Sequence, residues 1–417
     1  MGAAVKIRDF DDPSFNPFIV SEVTAGQGAI TDIYGELRRL RQIKSVWEMD
    51  PRLHFGTVTD GTLAGVKKWV ILSYADVNRM LTDTTLISNK VYLKNLGQMF
   101  GRSITTMDLP EHRLYRALFQ QAFLPNVIAQ YRDELVPGII NQLVDKFAGR
   151  GRAELVQELA LHFPFHFVTH LLGLPREDWH VFHKLAFAQT TVRYDYDHAI
   201  EAGDKLTDYI KAVVAERLAN PPGGNDFMYL ISTAQVDGQR LPEDVLVAFF
   251  RQLMNAAGDT SYHGFSSMLS GLLRHPDQLD AVRKDRALIP AAIDEGLRWE
   301  TPIVYVERTP TQPLEIEGAT IQPGDHMSVS IGSANRDETV WEDPDRYNIF
   351  RKKQRYNSFG AGPHICIGQH LARLEMGVAL QILLDRLPNL RLDPDQPEPV
   401  VRGVTMRKPK AVHVLFD

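Results

Sequence analysis

The sequence predicts a mainly α protein with a smaller β region, an α+β chain, on three observations. From 114 to about 297 apolar residues recur almost throughout at helical spacing. Short β-rich runs lie before that body, at 66–73, and after Pro302, at 314–316, 319–321 and 327–331, with a last one at 411–416. No internal repeat, low-complexity tract or long linker divides the 417 residues. Length alone suggests two or three domains. Terminal β segments that meet in space would instead make one domain, 1–417, with a β-rich lobe built from both ends and a helical body at about 110–300.

Composition narrows the class. A hydrophobic fraction of 44% and a charged fraction of 24% are those of an ordinary globular chain. The net charge of −6 and a pI near 6.2 exclude a strongly basic nucleic-acid or anionic-membrane surface. Residues 1–10 lack both a signal-peptide core and an apolar run long enough to span a bilayer. Met1-Gly2 begins like a myristoylation signal that Ile7 and its neighbours do not complete. With a single cysteine, which suits a reducing compartment, the expectation is a cytoplasmic monomer without a membrane partner.

Along the chain, Asp11-Asp12-Pro13 and Asn16-Pro17 signal turns, and 30–43 reads as a first helix. The run 66–73 is expected to pair with 54–58 across the Asp60-Gly61 turn, and helical spacing resumes at 74–81. A helix opens near Pro110, which is tolerated at a helix start; His112 and Arg116, four apart, share one of its faces. The Pro/Gly cluster at 221–226 is loop-sized. A long helix is expected from about 242 to 274. Its middle, Ala256-Ala257-Gly258-Asp259-Thr260-Ser261, is rich in poor helix formers. A threonine hydroxyl bonded back to the carbonyl four residues earlier would bend such a helix and open its ladder. Helical spacing places Ala256, and near it Asn255 and Gln252, on the side of Thr260. Two amides over an apolar cavity need partners, so a substrate bearing an oxygen function is one expectation and bonding to neighbouring helices or water the other.

The stretch Phe359-Gly-Ala-Gly-Pro-His-Ile-Cys-Ile-Gly368 holds the only cysteine, Cys366. One thiolate cannot form an internal disulfide or a zinc cage, but it can serve as the axial ligand of a haem iron. Gly360, Gly362 and Gly368 would permit positive φ angles and a close approach to a flat macrocycle. The amphipathic run 369–386 (Leu371, Leu374, Val378, Ile382 and Leu383 on one face) would start a helix just after the cysteine, its N–H groups favouring thiolate over thiol.

These ten residues resemble the haem-binding loop of the cytochromes P450 of the soluble bacterial type, Phe-Gly-x-Gly-x-His-x-Cys-x-Gly, at every fixed position. The resemblance implies the cytochrome P450 fold, with haem b between a long central helix and the cysteine loop. It implies Cys366 as the iron ligand, and His112, Arg116, Arg308 and His364 as contacts to the haem propionates, with Phe359, Gly360 and Gly368 shaping the loop. It also implies an acid–alcohol pair, Asp259 and Thr260, that passes protons during O2 reduction; Ala257 stands where glycine is commoner in the family, and Gly258 follows. Substrate-pocket walls are expected at Gln252, Asn255, Ala256, Ile303, Val304 and Thr405, within or beside the loops 91–106, 187–196, 303–306 and 404–406. Glu295 and Arg298 would form a structural cluster with Arg346 from Asp343-Pro-Asp-Arg346-Tyr.

The implied activity is that of a haem-thiolate monooxygenase acting on a small, largely apolar molecule. The chain has no flavin- or nicotinamide-type glycine fingerprint and no iron–sulfur cysteines, so electrons would come from a ferredoxin and its NAD(P)H ferredoxin reductase. The basic run at 351–355 is a candidate docking surface for it, or only a solvated charge run. Two other readings are a peroxide-driven peroxygenase and a non-catalytic haem sensor; an intact acid–alcohol pair argues against both.

Overall fold

The computed structural model describes residues 6–24, 30–222, 226–236 and 238–417. Met1-Gly2 and the middle of the loop at 221–226 lie outside the described residues. A helix of 31 residues, Glu243–Leu273, is the axis of the molecule and runs about 46 Å. Glu243 and Asp244 occupy its first turn, where negative charge favours the positive dipole end. Every residue from Ser261 to Leu273 is buried, so neighbouring helices press on it from all sides. Small residues make that approach possible. A Cβ at Gly258 would lie 2.9 Å from the Phe165 ring, and one at Gly271 would lie 2.6 Å from Tyr347. Gly296, on the helix Ile289–Trp299, packs so closely that a Cβ there would be 2.6 Å from Met268.

The β segments on either side of the helical body do meet. A five-stranded sheet has the order Val46–Glu48, Lys68–Ile71, His326–Ser330, Tyr305–Pro310 and Ile87–Ser88. The second and third strands are parallel and the other pairs antiparallel. The pairing expected between 66–73 and 54–58 is not made. Pro51 at the first helical position and Asp50, whose side chain accepts from the Arg52 N–H, instead start a short helix, Pro51–His54. Strand Val46–Glu48 takes the vacant edge. The C-terminal strand His413–Leu415 also stays out of this sheet, pairing with Arg391–Leu392 and with Arg152–Glu154 from the helical body. Elsewhere the helices Tyr34–Ile43, Tyr74–Thr82, Glu111–Gln120 and Gln369–Arg386 fall close to their expected spans. On the last of these Leu371 and Leu383 are buried, whereas Leu374, Val378 and Ile382 sit only partly buried at the core's edge. No helix among the described residues is long and apolar enough to cross a membrane.

The cluster at Glu295 forms with a different second arginine from the one expected. Arg298 Nε and Nη2 each donate to Glu295 at 2.8 Å, and both residues are buried. The second guanidinium on Glu295 is that of Arg351, Nε at 3.1 Å from Oε1. Arg346 is exposed and supplies only its backbone carbonyl, which accepts from Arg298 at 3.4 Å and from Arg351 at 2.6 Å. The turn at 343–346 thus aims a carbonyl inward and leaves the side chain outside. Arg351→Ala is expected to lower stability by about 1–3 kcal/mol, and Arg346→Ala to change it by no more than about 0.5 kcal/mol. Denaturant unfolding of the two variants beside wild type checks this; equal losses would refute the assignment.

Candidate active site

The cysteine loop is shaped by two left-handed glycines, Gly360 at φ +71° and Gly362 at φ +66°. A Cβ at Gly362 would come within 2.5 Å of the Leu81 carbonyl oxygen, so no side chain fits there. Gly368 does not adopt the expected positive φ: it precedes the helix Gln369–Arg386 at φ −86°. The Cys366 N–H donates to the Phe359 carbonyl at 2.8 Å. The Phe359 ring packs against the core with the Arg373 guanidinium 4.3 Å from its centroid. The Cys366 sulfur accepts from the N–H groups of Gly368 and Gln369. Those groups and the guanidinium groups of Arg116 and Arg373 favour the thiolate, but burial pushes the thiol pKa up, and burial prevails. The helix-end N–H groups thus favour the thiolate as expected, but they do not outweigh burial. Ligation to a metal supplies the missing stabilisation, because a coordinating thiol is deprotonated outright. Cys366 is nonetheless exposed by accessible surface, because it lies on the wall of an internal cavity.

Four basic side chains converge on that cavity: His112 and Arg116 from the helix Glu111–Gln120, Arg308 from the sheet, and His364 from the loop. The rings of His112 and His364 lie 3.9 Å apart. Burial first, and Arg116 second, hold the His112 pKa down to about 4; burial, His112 and the two arginines hold His364 down to about 2. Both are neutral at neutral pH. Arg116 donates to the Ile365 carbonyl at 2.6 Å and Arg308 to the carbonyl of Glu307 at 2.8 Å. Among the described residues neither guanidinium has a carboxylate within 4.0 Å, and neither ring nitrogen of the buried His112 has a partner. A buried and a half-buried guanidinium without a carboxylate partner, beside orphaned imidazole nitrogens and a lone sulfur, fit a flat cofactor carrying two carboxylates.

The central helix forms another wall. Ala256 is exposed in a helix whose next turns are wholly buried, because it faces the cavity. The Thr260 hydroxyl donates to the Ala256 carbonyl at 2.7 Å, as the mid-helix composition suggested. Asp259 is buried; its Oδ2 accepts from Asn255 Nδ2 at 2.9 Å, and its Oδ1 lies 3.8 Å from His183 Nε2. Gln252 Nε2 donates to the Thr105 hydroxyl at 2.6 Å. Gln252 and Asn255 both line the cavity, and the NH2 group of each is bonded to the protein.

Beyond Ala256 the space continues into a larger cavity sharing Tyr92, Thr105, Gln252, Ala256 and Val306 with the first. Ile303 and Thr405 line it as expected, and each of the loops 91–106, 187–196, 303–306 and 404–406 contributes to its wall. Val304 does not. Its backbone N–H bonds to the Thr405 carbonyl at 2.9 Å and its side chain is fully buried against Tyr34 and Leu37; with a repeat of two, Ile303 and Tyr305 face the cavity instead. Sequence reasoning missed the charged residues of the far wall: Asp50, Arg52, Asp60, Lys68, Arg193, Glu307 and His326. The one local signal was the alternation of His326, Ser328 and Ser330 with Met327 and Val329, which marks a polar strand face.

A cysteine and two arginines that have no carboxylate partner among the described residues, across one cavity and under a helix with a buried acid next to a part-buried alcohol, match the class of haem-thiolate proteins. The family model for cytochrome P450 matches residues 166–416, more than half of the chain. Cytochrome P450-terp of a Pseudomonas species is 29% identical over 381 residues, 84% of this chain and 87% of that one. The steroid C26-monooxygenase of Mycobacterium tuberculosis is 31% identical over 295 residues, 69% of this chain and 78% of that protein. Among solved structures, PksS, the cytochrome P450 of the Bacillus subtilis bacillaene polyketide synthase, superimposes with a TM-score of 0.84 at 26% identity, over 97% of this chain and 100% of that one. The chain belongs to the cytochrome P450 family. It is an oxidoreductase of the monooxygenase type, with thiolate-ligated iron protoporphyrin IX as cofactor and O2 as co-substrate.

If Arg116 and Arg308 hold the cofactor's carboxylates, Arg116→Gln and Arg308→Gln should each speed haem loss about tenfold or more, since a charge-assisted hydrogen bond contributes about 1.5–3 kcal/mol. Transfer of haem to apomyoglobin measures it; unchanged transfer rates in both variants would refute the role.

Proposed function

We propose that this chain inserts one oxygen atom of O2 into a C–H bond of a small organic substrate, using electrons from a ferredoxin and its NAD(P)H-dependent reductase. The proposal takes the chain as one domain acting as a cytoplasmic monomer. What supports it is that Cys366 and the pair Asp259–Thr260 border connected cavities that meet at Ala256. Haem bound there supplies dioxygen activation and the oxidation itself.

The chain's own residues bind, orient and move protons. Cys366 is the ligand, its sulfur fixed by the N–H groups of Gly368 and Gln369. Arg116, Arg308, His112 and His364 set the orientation through the carboxylates. Thr260 gives its hydroxyl proton to the Ala256 carbonyl, so Oγ1 presents lone pairs and accepts from a water beside it. Asp259, anchored by Asn255 and facing His183, relays protons taken up from solvent: it gives each to that water, which releases one of its own toward the reacting site, and Asp259 returns to its ionised state. Electrons arrive from the opposite side. Lys352, Lys353 and Arg355 are exposed just before the cysteine loop, whereas Arg351 is committed to Glu295; a ferredoxin's acidic face suits the three free cations.

Reduced protein with carbon monoxide should show the red-shifted Soret band of a sulfur-ligated complex, and Cys366→Ser should lose it. Asp259→Asn and Thr260→Ala should keep that band while product formation with NAD(P)H and a ferredoxin system falls about 100-fold. Turnover supported by peroxide alone, and indifferent to both substitutions, would overturn the proposal.

A further inference from the structure

The cavity wall facing the central helix carries three acids, Asp50, Asp60 and Glu307, and three cations, Arg52, Lys68 and Arg193, but not every cation is hydrogen-bonded to an acid. Strand alternation brings Lys68, His326, Ser328 and Glu307 to one face of the sheet, along this cavity. The three acids here are saturated. Asp50 Oδ2 takes Lys68 Nζ at 2.9 Å, and its Oδ1 takes the Arg52 N–H at 2.9 Å. Asp60 Oδ2 takes Arg193 Nε at 2.8 Å, and its Oδ1 takes the Thr62 hydroxyl and N–H. Glu307 Oε1 takes Arg193 Nη2 at 2.6 Å and its Oε2 takes Asn95 at 2.6 Å.

Arg52 is the exception. It lines the cavity, yet among the described residues its guanidinium makes no hydrogen bond and has no carboxylate within 4.0 Å. Burial first, and Arg193 second, hold its pKa below the ordinary arginine value against the attraction of Glu307, Asp60 and Asp50; each of those acids is hydrogen-bonded elsewhere, which leaves the guanidinium itself open to a direct bond from an incoming anion. Two further groups on the same wall are unsatisfied. His326 is only 5% exposed and neither ring nitrogen makes a hydrogen bond, although Nε2 lies 4.0 Å from Glu307 Oε2; the Tyr305 hydroxyl, also buried, makes none. A buried polar group without a partner is unfavourable by about 1–3 kcal/mol, so these atoms point to something that binds them. A cationic substrate would have to break existing ion pairs to find an acid here. An anion has a free guanidinium waiting.

We infer that this wall recognises the carboxylate of an amphipathic carboxylic acid, with Arg52 as its ion-pair partner, Tyr305 and His326 as neutral hydrogen-bond partners, and the apolar part of the molecule directed toward Ala256. The inference rests on the proposed monooxygenase reading for where the substrate is oxidised. It makes Arg52, rather than Asn255 or Gln252, the main source of polar recognition for an acid, since the NH2 groups of those amides, the parts that would donate to a carboxylate, are bonded within the protein.

The test is a binding series on the ferric holoenzyme with octanoic, dodecanoic and hexadecanoic acids, their methyl esters and the matching alcohols. Soret displacement and calorimetry are read in parallel. The tightest-binding acid should exceed its ester and alcohol by about tenfold or more. Arg52→Gln should erase that preference while leaving alcohol affinity in place, and Arg52→Lys should restore part of it. Equal affinity of acid, ester and alcohol in wild type, or an acid preference that survives Arg52→Gln, overturns the inference. The carbonyl spectrum of each protein separates the two levels: a normal sulfur-ligated band without acid preference sinks only this inference, and a missing band in wild type sinks the reading beneath it.

Discussion

Two guanidinium groups that share a cavity without a carboxylate among the described residues set the terms for this fold. Arg116, half-buried, and Arg308, buried, come from elements far apart in sequence, a helix at the start of the helical body and a strand after it, and both reach one cavity. Like charges facing a common space oppose the closing of those elements. If the cofactor's carboxylates meet them, as proposed, haem is a structural member as well as a reagent, and the contact that orients it also lets the β-rich and helical parts close around it. Histidines 112 and 364, kept neutral by burial, add hydrogen-bonding capacity there without adding charge.

The central helix obeys a second constraint, which is space. Glycine at 258 and 271 admits Phe165 and Tyr347 to van der Waals contact with its backbone, so packing rather than helix propensity stabilises the run at 256–261. Within that tight assembly Ala256 is a notch, small and open to the cavity. Asp259 and Thr260 follow within one turn, each with its polar atom already steered by a neighbour in the helix, Asn255 and the Ala256 carbonyl. A weak helical sequence is thus tolerated where it does chemistry because the surrounding helices enforce its shape.

Much of this was legible in the sequence, and the exceptions share a cause. Motifs confined to a short stretch were readable: the cysteine loop, the His112/Arg116 pair and the central helix with its interrupted middle. The helix Gln369–Arg386 begins and ends where its pattern does. What could not be read was anything decided by partners distant in sequence. The strand Lys68–Ile71 pairs with 46–48 because Asp50 and Pro51 divert the nearer segment into a helix. Glu295 takes Arg351 rather than Arg346 because a turn reverses side chain and carbonyl. The thiol's raised pKa depends on burial, which local spacing does not report. The polar far wall is assembled from six separate segments, and its charges look like ordinary surface residues until the fold brings them inside.

Arg193 ends the short turn Gln189–Arg193 and reaches across to grip Asp60 and Glu307 at once, while Asn95 braces the same two carboxylates. One guanidinium thereby staples a roof segment to two separate pieces of the floor. Without it two carboxylates would face each other in a largely buried space, so the position of the segment 189–193 is tied to the charge balance of the cavity wall.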